Sequence, residues 1–157
     1  MELVILVGVS GAGKSTMSLN YIKEGFIRIN RDDLRKVLVK NLDISYYNRP
    51  DVQDIEAIVT HAEQTIAKQA VAAKKPIIID NTNLHQKSVE YWISFANICD
   101  YKVSILILDV KLNEAKQRVK SRDGIKDEDT LYIDKQYGNF AKTKEWISKK
   151  YYQMIKR

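Results

Sequence analysis

Four short apolar runs divide the chain and predict β-strands. They are Leu3–Val7, Phe26–Ile29, Pro76–Asp80 and Val103–Asp109. Three of the four are apolar at nearly every position, which is typical of strands buried on both faces. The polar or turn residues on either side of each run indicate where the strand ends.

Helical patterns lie between and after these runs, with apolar residues spaced three and four apart. The clearest is Val52–Lys74, whose apolar stripe comprises Ile55, Ile58, Val59, Ala62, Ile66, Ala70 and Ala73. The other predicted helices are Lys14–Glu24, Asp33–Lys40, Gln86–Asn97, Leu112–Lys120, Thr130–Gln136 and Phe140–Lys156. The segment Arg122–Gly124 and the residue Gly138 are expected to separate the last three.

The alternation of strands and helices predicts an α/β fold with a four-stranded parallel sheet flanked by helices. No repeat, low-complexity tract or linker divides the sequence, so residues 1–157 are expected to form one domain. In open parallel sheets, ligands bind beyond the carboxyl ends of the strands. Three of the four predicted strand ends carry polar clusters, at Gly8–Thr16, Asn30–Arg35 and Asp80–Asn83.

Composition excludes several classes of protein without indicating a function. Apolar residues make up 45% of the chain and charged residues 29%, which is ordinary for a soluble globular protein and excludes disordered and collagen-like chains. Cys99 is the only cysteine, so no internal disulfide can form and a reducing cytoplasm is the expected setting. No apolar run is long enough to span a membrane.

The net charge of +6 is unevenly placed, because residues 1–110 are neutral and the surplus lies after them. A basic C-terminal third is compatible with a polyanionic partner such as nucleic acid. The alternative is a set of solvated helix faces, and charge alone favours that alternative. Lys142, Lys144, Lys149 and Lys150 are the residues on which the two readings differ.

The segment Gly8–Thr16 fits the phosphate-loop pattern G-x-x-x-x-G-K-[ST], and it follows a predicted strand and opens a predicted helix. Backbone N–H groups of such a loop point into one concavity that holds phosphates. The predicted nucleotide-binding residues are Gly8, Ser10, Gly11, Ala12, Gly13, Lys14, Ser15 and Thr16. Lys14 is expected to contact the β- and γ-phosphates and Ser15 to bind Mg²⁺, so the sequence predicts binding of ATP or another nucleoside triphosphate with magnesium.

The cluster Asn30–Arg35 is the candidate acceptor side of a phosphotransferase. Transfer of a phosphoryl group to a hydroxyl needs an acceptor for the leaving proton, and a carboxylate such as Asp32 is suited to that role. Asp32 and Arg35 are three residues apart and share a helix face, so Arg35 could grip a phosphate of the acceptor. The alternative is that Asp32 or Asp33 is only a helix N-cap and the arginines are surface charges.

The phosphate loop followed by Ile29–Arg35 and then Asp80–Leu84 resembles the 5′-kinase domains of the polynucleotide kinase family. The resemblance extends from Leu3 to about Phe140. It implies that Asp32 is the general base on a 5′-hydroxyl and that Arg35 contacts that base and the adjacent phosphate. It also implies an acceptor site that includes Asn30 and Arg31.

Asp80 ends an apolar strand, which is how P-loop enzymes place a carboxylate near the metal. Asp80 is therefore the predicted second magnesium ligand, with the neighbouring Asn81 as the other candidate position. Thr82 and Asn83 offer a hydroxyl and an amide to a backbone phosphate of the substrate. The alternative is a turn held by side-chain hydrogen bonds of the asparagines.

Two arginines precede a glycine-bearing loop and resemble the lid arginines of the same family. Arg122 is expected to reach the transferred phosphoryl group, and Arg118, one turn earlier, to assist on the nucleotide. The alternative is that both are basic residues favoured by the end of a helix dipole. The prediction therefore includes a C-terminal helical lid.

The sequence predicts an ATP-dependent kinase of the 5′-hydroxyl ends of RNA or DNA, and its oligomeric state stays open. A P-loop kinase of a small metabolite or nucleotide is the second reading, and a non-catalytic ATP-binding module is the third. His61 and His85 lack metal-ligand neighbours at useful spacing and are expected to be structural or solvent-facing. Tyr46, Tyr47, Tyr151 and Tyr152 could stack bases but more often would cover helix joints.

Overall fold

The structure, a computed structural model, describes residues 1–39 and 46–156. Its centre is a parallel sheet with strand order β2-β3-β1-β4. The strands are β1 (Glu2–Val7), β2 (Ile27–Ile29), β3 (Ile77–Ile79) and β4 (Lys102–Ile107). Leu3 is in register with Ile77 on one side and with Val103 on the other. The predicted α/β class and four-stranded parallel sheet are confirmed.

Six helices surround the sheet in the described residues. They are α1 (Lys14–Lys23), α2 (Arg31–Leu38), α3 (Val52–Ala72), α4 (Gln86–Ile98), α5 (Leu112–Asp123) and α6 (Tyr132–Lys150). Single 3₁₀ turns lie at Tyr46–Asn48, Glu128–Thr130 and Tyr152–Met154. Within residues 1–39 and 46–156, no helix is long and apolar enough to cross a membrane.

The two inner strands, β1 and β3, are the most completely buried part of the sheet. Residues 3–7 of β1 and all three residues of β3 are buried. A strand that is covered by helices on both faces must be apolar at every position, which explains the unbroken apolar runs in the sequence. Parallel pairing brings the carboxyl ends of β1, β2 and β3 to one edge, where the three polar clusters meet.

Helix α6 corrects the prediction of two C-terminal helices. Gly138 lies inside this helix and does not break it, and the predicted helix end at Lys156 moves back to Lys150. Ile133, Phe140 and Ile147 are buried along one face of α6. A helical glycine costs about 1 kcal/mol, and burial of one large apolar side chain contributes about 1.5–3 kcal/mol, so tertiary packing outweighs the local signal.

Smaller corrections concern the other helices. Helix α2 begins at Arg31 rather than Asp33, and its predicted end at Lys40 lies outside the described residues. Helix α5 continues through Arg122 and Asp123 and ends against Gly124, whose φ of 66° is left-handed. In α3, Ile58 is 53% exposed and does not belong to the buried stripe, which instead includes the carboxylate of Glu63.

Candidate active site

A cleft of about 710 Å³ opens where the three polar clusters meet at the carboxyl edge of the sheet. The phosphate loop, the start of α2 and the segment after β3 line it, and α3, α4 and α5 contribute further residues. Of the residues predicted from the sequence to form the site, only Gly8 and Ala12 do not line the cleft. The tertiary fold therefore brings together side chains that are more than one hundred residues apart in the chain.

The phosphate loop follows β1 directly and wraps the amino end of α1. Gly11 and Gly13 have φ values of 81° and 90°, a left-handed conformation that glycine adopts without steric cost. Gly8 packs against the residue that follows β4, because an added Cβ atom would lie 3.0 Å from the carbonyl oxygen of Leu108. These positions explain why the sequence pattern requires glycine here.

Lys14 folds back onto its own loop, because its Nζ donates a hydrogen bond of 2.8 Å to the carbonyl oxygen of Val9. Burial lowers the pKa of Lys14 to about 8, although the carboxylates of Asp80 and Asp32 favour its charged form. The positive charge of Arg122 acts in the same direction as burial. A bound anion would favour the charged form of Lys14 and raise its pKa, so phosphate binding and protonation of Lys14 are coupled.

The C-terminal helices hold the phosphate loop from the other side. The backbone N–H of Ser10 donates to Oε1 of Gln136 in α6, at 2.8 Å. Arg118 in α5 donates from Nη1 to the carbonyl oxygen of Gly11 at 3.2 Å and pairs with Glu114. Sequence reasoning did not find Gln136, and only the packing of α6 against the loop reveals it.

Asp32 lies on the first turn of α2 with its carboxylate open to the cleft. Its side chain is 61% exposed, and Oδ1 accepts a hydrogen bond of 2.6 Å from Nη1 of Arg35. The helix cap is Asn30, whose Oδ1 accepts from the backbone N–H of Asp33. The alternative that Asp32 or Asp33 is the cap is therefore wrong, and Asp32 is left with one side-chain partner.

The side chain of Asn30 is fully engaged by the fold. Besides capping α2, its amide donates to the backbone carbonyl of Asp80 and so joins the ends of β2 and β3. The side chain of Asn30, which was predicted to bind substrate, thus already forms hydrogen bonds within the protein. Arg31 is engaged as well, although it also lines the cleft.

An acidic face of α3 holds both arginines of α2. Glu56 accepts from Arg35 at 2.7 and 2.8 Å and from Arg31 at 2.8 Å. Arg31 also donates to Glu63 at 2.6 Å and to Thr60 at 3.1 Å. Hydrogen bonds from Arg35, with help from Tyr46 and Arg31, lower the pKa of Glu56 to about 2. We refer to Glu56, Thr60 and Glu63 as the acidic face of α3.

Sequence reasoning missed this acidic face, although a signal was present. The three polar residues recur at steps of four and three, which places them on one side of a helix. Tyr46, which was considered as a base-stacking residue, is completely buried and donates its hydroxyl to Glu56. Tyr47 remains 62% exposed.

Asp80 is buried at the bottom of the cleft, where only one of its carboxylate oxygens is satisfied. Oδ2 accepts from Ser18 at 3.0 Å and from the guanidinium of Arg28 at 2.7 Å. Oδ1 has no hydrogen-bond partner among the described residues. Arg28, which also pairs with Asp33, was not predicted as part of the site.

The donor set fits a magnesium ion, because it combines the unpartnered Oδ1 of Asp80 with the hydroxyl of Ser15 on the same cleft. Magnesium prefers oxygen ligands and usually takes only one or two from the protein, with phosphates and water completing its shell. The described residues include no group of three or more His, Cys, Asp or Glu that could hold a metal ion. Asn81 is less suited, since its side chain accepts from the N–H of Arg31 and donates to Glu63.

The segment after β3 is tied to both neighbouring loops. Asn83 is 3% exposed and has a φ of 48°, and its side chain donates to Leu6 and accepts from Ser88. The carbonyl of Thr82 accepts from the backbone N–H of Gly8. Asn83 thus fits the alternative of a turn held by side-chain hydrogen bonds, while the side chain of Thr82 lines the cleft with no such contact.

Arg122 approaches the phosphate loop from the end of α5. Its side chain is 63% exposed and forms two hydrogen bonds with the adjacent Asp123, at 2.6 and 2.7 Å. It lies close enough to affect the charge of Lys14 and to be affected by Asp32. Arg118 and Arg122, the predicted lid arginines, therefore both lie on α5 beside the phosphate loop, and their role as a lid stays a prediction.

The lysines of the C-terminal third are mostly paired with acidic residues. Lys144 pairs with Asp109, Lys149 with Glu145 and Lys150 with Glu90. These pairs favour the reading of a solvated helix face over that of a track for a nucleic-acid backbone. The positive groups that remain directed at the cleft belong to the loop, α2 and α5.

Known proteins similar to this chain agree with the fold and with the resemblance identified from the motifs. The family model described as an AAA domain matches residues 3–143. A protein of Autographa californica nuclear polyhedrosis virus, whose name proposes a bifunctional polynucleotide kinase/RNA ligase, is 33% identical over 148 residues. That match covers 90% of this chain and 21% of the viral protein.

Two solved structures of the Pnkp1/Rnl/Hen1 complex, one of them described as an RNA repair complex, have similar folds. The first has a TM-score of 0.75 and 24% identity, and it covers 92% of this chain and 45% of the other. The second has a TM-score of 0.59 and 26% identity, with 74% and 39% covered. The chain thus spans less than half the length of these relatives and about a fifth of the viral one.

Proposed function

This chain belongs to the AAA domain family, and on that premise we propose that it is an ATP-dependent kinase that phosphorylates the 5′-hydroxyl ends of RNA or DNA. The observation that carries the proposal is the position of Asp32, an exposed carboxylate on the same cleft as the phosphate loop. Residues 1–157 act as one kinase domain in this proposal. The names of the relatives, which refer to polynucleotide kinase and RNA repair, support RNA ends as the substrate class.

The phosphate loop would bind the donor nucleotide. The amino end of α1 and the loop N–H groups stabilise the β- and γ-phosphates, and Lys14 exchanges its bond to Val9 for a bond to a phosphate oxygen. The N–H of Ser10 is released from Gln136 when a phosphate competes for it. Arg122 leaves Asp123 and stabilises the negative charge on the transferred phosphoryl group.

The acceptor hydroxyl would lie between Asp32 and the γ-phosphate. Asp32 accepts the proton as the 5′-oxygen attacks the γ-phosphorus in line, and the bond from that phosphorus to the bridging oxygen breaks so that the nucleoside diphosphate leaves. Arg35 holds the carboxylate in place through its 2.6 Å bond. Because Arg35 is itself fixed by Glu56, its guanidinium is preorganised to contact a phosphate beside the acceptor sugar.

Ser15 and Asp80 would hold a magnesium ion, which neutralises phosphate charge when it is bound. The unpartnered Oδ1 of Asp80 is the observation that supports this assignment. Arg28 and Ser18 keep the other oxygen occupied and so orient the free one.

The test uses γ-labelled ATP, magnesium and an oligonucleotide with a 5′-hydroxyl. We expect label on the 5′-hydroxyl strand, none on the same strand with a 5′-phosphate, and loss of label with Asp32→Ala. The control variant is Asp54→Ala, which removes an exposed carboxylate that does not line the cleft. Absence of label on RNA and DNA while ATP still binds would refute the proposal and favour a small-molecule acceptor.

A further inference from the structure

The cleft extends beyond the groups that the proposed phosphoryl transfer requires. Part of its lining comes from α3 and α4 and includes Thr60, Glu63, Gln64, Ser88, Tyr91 and Trp92. We call this surface the α3–α4 wall. Its α3 part adjoins the start of α2, because Arg31 donates hydrogen bonds to Thr60 and Glu63. A molecule whose hydroxyl lies at Asp32 would therefore lie beside this wall.

Three of the six side chains of the α3–α4 wall already form hydrogen bonds within the protein. The hydroxyl of Thr60 donates to the backbone of Glu56, Glu63 binds Arg31, and Ser88 donates to Asn83. Trp92 is 2% exposed and packs in the core. Among the described residues, Gln64 and Tyr91 form no side-chain hydrogen bond, and they therefore remain available to a ligand.

Tyr91 has the properties of a stacking surface. It is 40% exposed and lines the cleft, where a bare aromatic ring has no role in phosphate chemistry. Trp92 packs perpendicular to it with ring centroids 5.0 Å apart, which restricts the orientation of the exposed ring. A ring that is held in advance loses little conformational entropy when a flat ligand stacks on it.

We propose that Tyr91 and Gln64 bind the nucleobase of the 5′-terminal nucleotide of the acceptor strand, with the base stacked on Tyr91 and one polar edge facing the amide of Gln64. This inference rests on the proposed function and adds the part of the substrate that it leaves unassigned. The sugar would sit at Asp32 and its phosphate at Arg35, and the base would extend toward α4. Stacking accepts any base, and the amide of Gln64, which both donates and accepts, can pair with several base edges.

Burial and the nearby carboxylate of Glu63 raise the pKa of Tyr91, so its hydroxyl stays protonated and the ring stays neutral at physiological pH. A neutral ring does not repel the phosphates that flank the base. The neighbouring positive charges of Arg31 and Arg35 are compensated by the acidic face of α3, which leaves the wall without excess charge. These features suit an uncharged flat group rather than another phosphate.

The experiment compares two acceptors, a 5′-hydroxyl oligonucleotide and the same strand with an abasic sugar at its 5′ end. Binding is measured by titration in the presence of a non-hydrolysable ATP analogue, and KM and kcat are measured with ATP. For Tyr91→Ala we expect about 5- to 150-fold weaker binding and a correspondingly higher KM for the normal strand. For the abasic strand we expect the variant to match the unmodified protein, with the KM for ATP unchanged on both strands.

Two further variants separate stacking from folding. Tyr91→Phe keeps the ring and is expected to retain most of the affinity for the normal strand, whereas Tyr152→Ala removes an exposed tyrosine outside the cleft and should change nothing. An equal loss on normal and abasic strands, or no loss with Tyr91→Ala, would overturn the inference. If the unmodified protein transfers phosphate and Tyr91→Ala binds and phosphorylates the normal strand equally well, only the proposed base site is refuted. If the unmodified protein binds the strand without transferring phosphate, the proposed kinase function is refuted. The affinities of Tyr91→Ala for the normal and abasic strands then still test the base site.

Discussion

Glu56 of α3 accepts hydrogen bonds from Arg35 of α2 on both carboxylate oxygens, at 2.7 and 2.8 Å. The remaining Nη1 of Arg35 is directed at Asp32. A planar guanidinium held at two of its nitrogens has little freedom at the third. Glu56 thereby orients the carboxylate proposed as the base without lining the cleft itself.

We expect Glu56→Gln to reduce kcat/KM for a 5′-hydroxyl strand by about 10- to 100-fold, because hydrogen bonds to charged groups contribute about 1.5–3 kcal/mol. The KM for ATP should not change, since Glu56 contacts α2 and not the phosphate loop. Steady-state kinetics with each substrate varied in turn measures the two effects separately. Glu90→Gln, which removes a charge paired with Lys150 on the outer surface, is the matched control. Equal losses in the two variants would contradict this positioning role.

Arg122 and Asp32 can be ranked by the size of their effects on turnover. Arginines that stabilise a transferred phosphoryl group contribute about 10³ to 10⁵ in rate, and general bases about 10² to 10⁴. Arg122→Ala is therefore expected to be at least as damaging to kcat as Asp32→Ala. Single-turnover measurements at saturating ATP report this ranking directly.

The pair between Arg122 and Asp123 provides the control for that ranking. Asp123→Asn removes the negative charge that pairs with Arg122 and competes with the phosphoryl group for its guanidinium. The kcat of this variant should therefore equal or exceed that of the unmodified protein. Near-normal turnover in Arg122→Ala would exclude the assignment of this residue to the lid.

The lowered pKa of Lys14 predicts a pH dependence of nucleotide binding. In the free protein Lys14 loses its proton as the pH rises through about 8, whereas a bound phosphate favours the charged form. Binding at pH 9 should therefore take up a proton, and the Kd for ATP should rise by up to about tenfold per pH unit above 8. Calorimetric titrations in buffers of different ionisation enthalpy measure the uptake.

The same titrations with Lys14→Arg serve as the control, since arginine stays charged over this range. The variant should bind without proton uptake at pH 9. Uptake that is equal in both proteins, or absent from both, would show that Lys14 does not titrate with ligand binding.

Gly11 and Gly13 differ in a way that thermal unfolding should reveal. A Cβ atom on Gly11 would lie 2.4 Å from the carbonyl oxygen of Ala115 in α5, whereas one on Gly13 would meet nothing within 4 Å. Both residues have left-handed backbones, which cost a non-glycine residue about 1–2 kcal/mol. Gly13→Ala should lower Tm by about 2–8 °C and Gly11→Ala by clearly more. Equal Tm values would mean that α5 does not pack on the loop as described.

Local sequence was sufficient for the sheet, the phosphate loop and the position of Asp32. Apolar runs determine buried strands because every side chain of such a strand enters the core. The loop pattern is equally local, since its glycines and Lys14 act within one turn between β1 and α1. The parallel sheet then requires the ends of β1, β2 and β3 to share one edge, so the cleft could be anticipated from the order of elements.

The partners of those residues were decided only by the tertiary structure. Glu56, Gln136 and Tyr91 lie outside the motifs and Arg28 lies just before one of them. The sequence around each of these residues does not indicate which group its side chain contacts. Gly138 shows that a local signal can also be overruled by tertiary packing. Glycine favours a break in a helix, but burial of Ile133 and Phe140 on either side keeps residue 138 within α6. The periodicity of apolar residues indicates which face of an element is buried. Which residues of two elements touch depends on how their surfaces pack, and that packing is determined jointly by segments far apart in the chain.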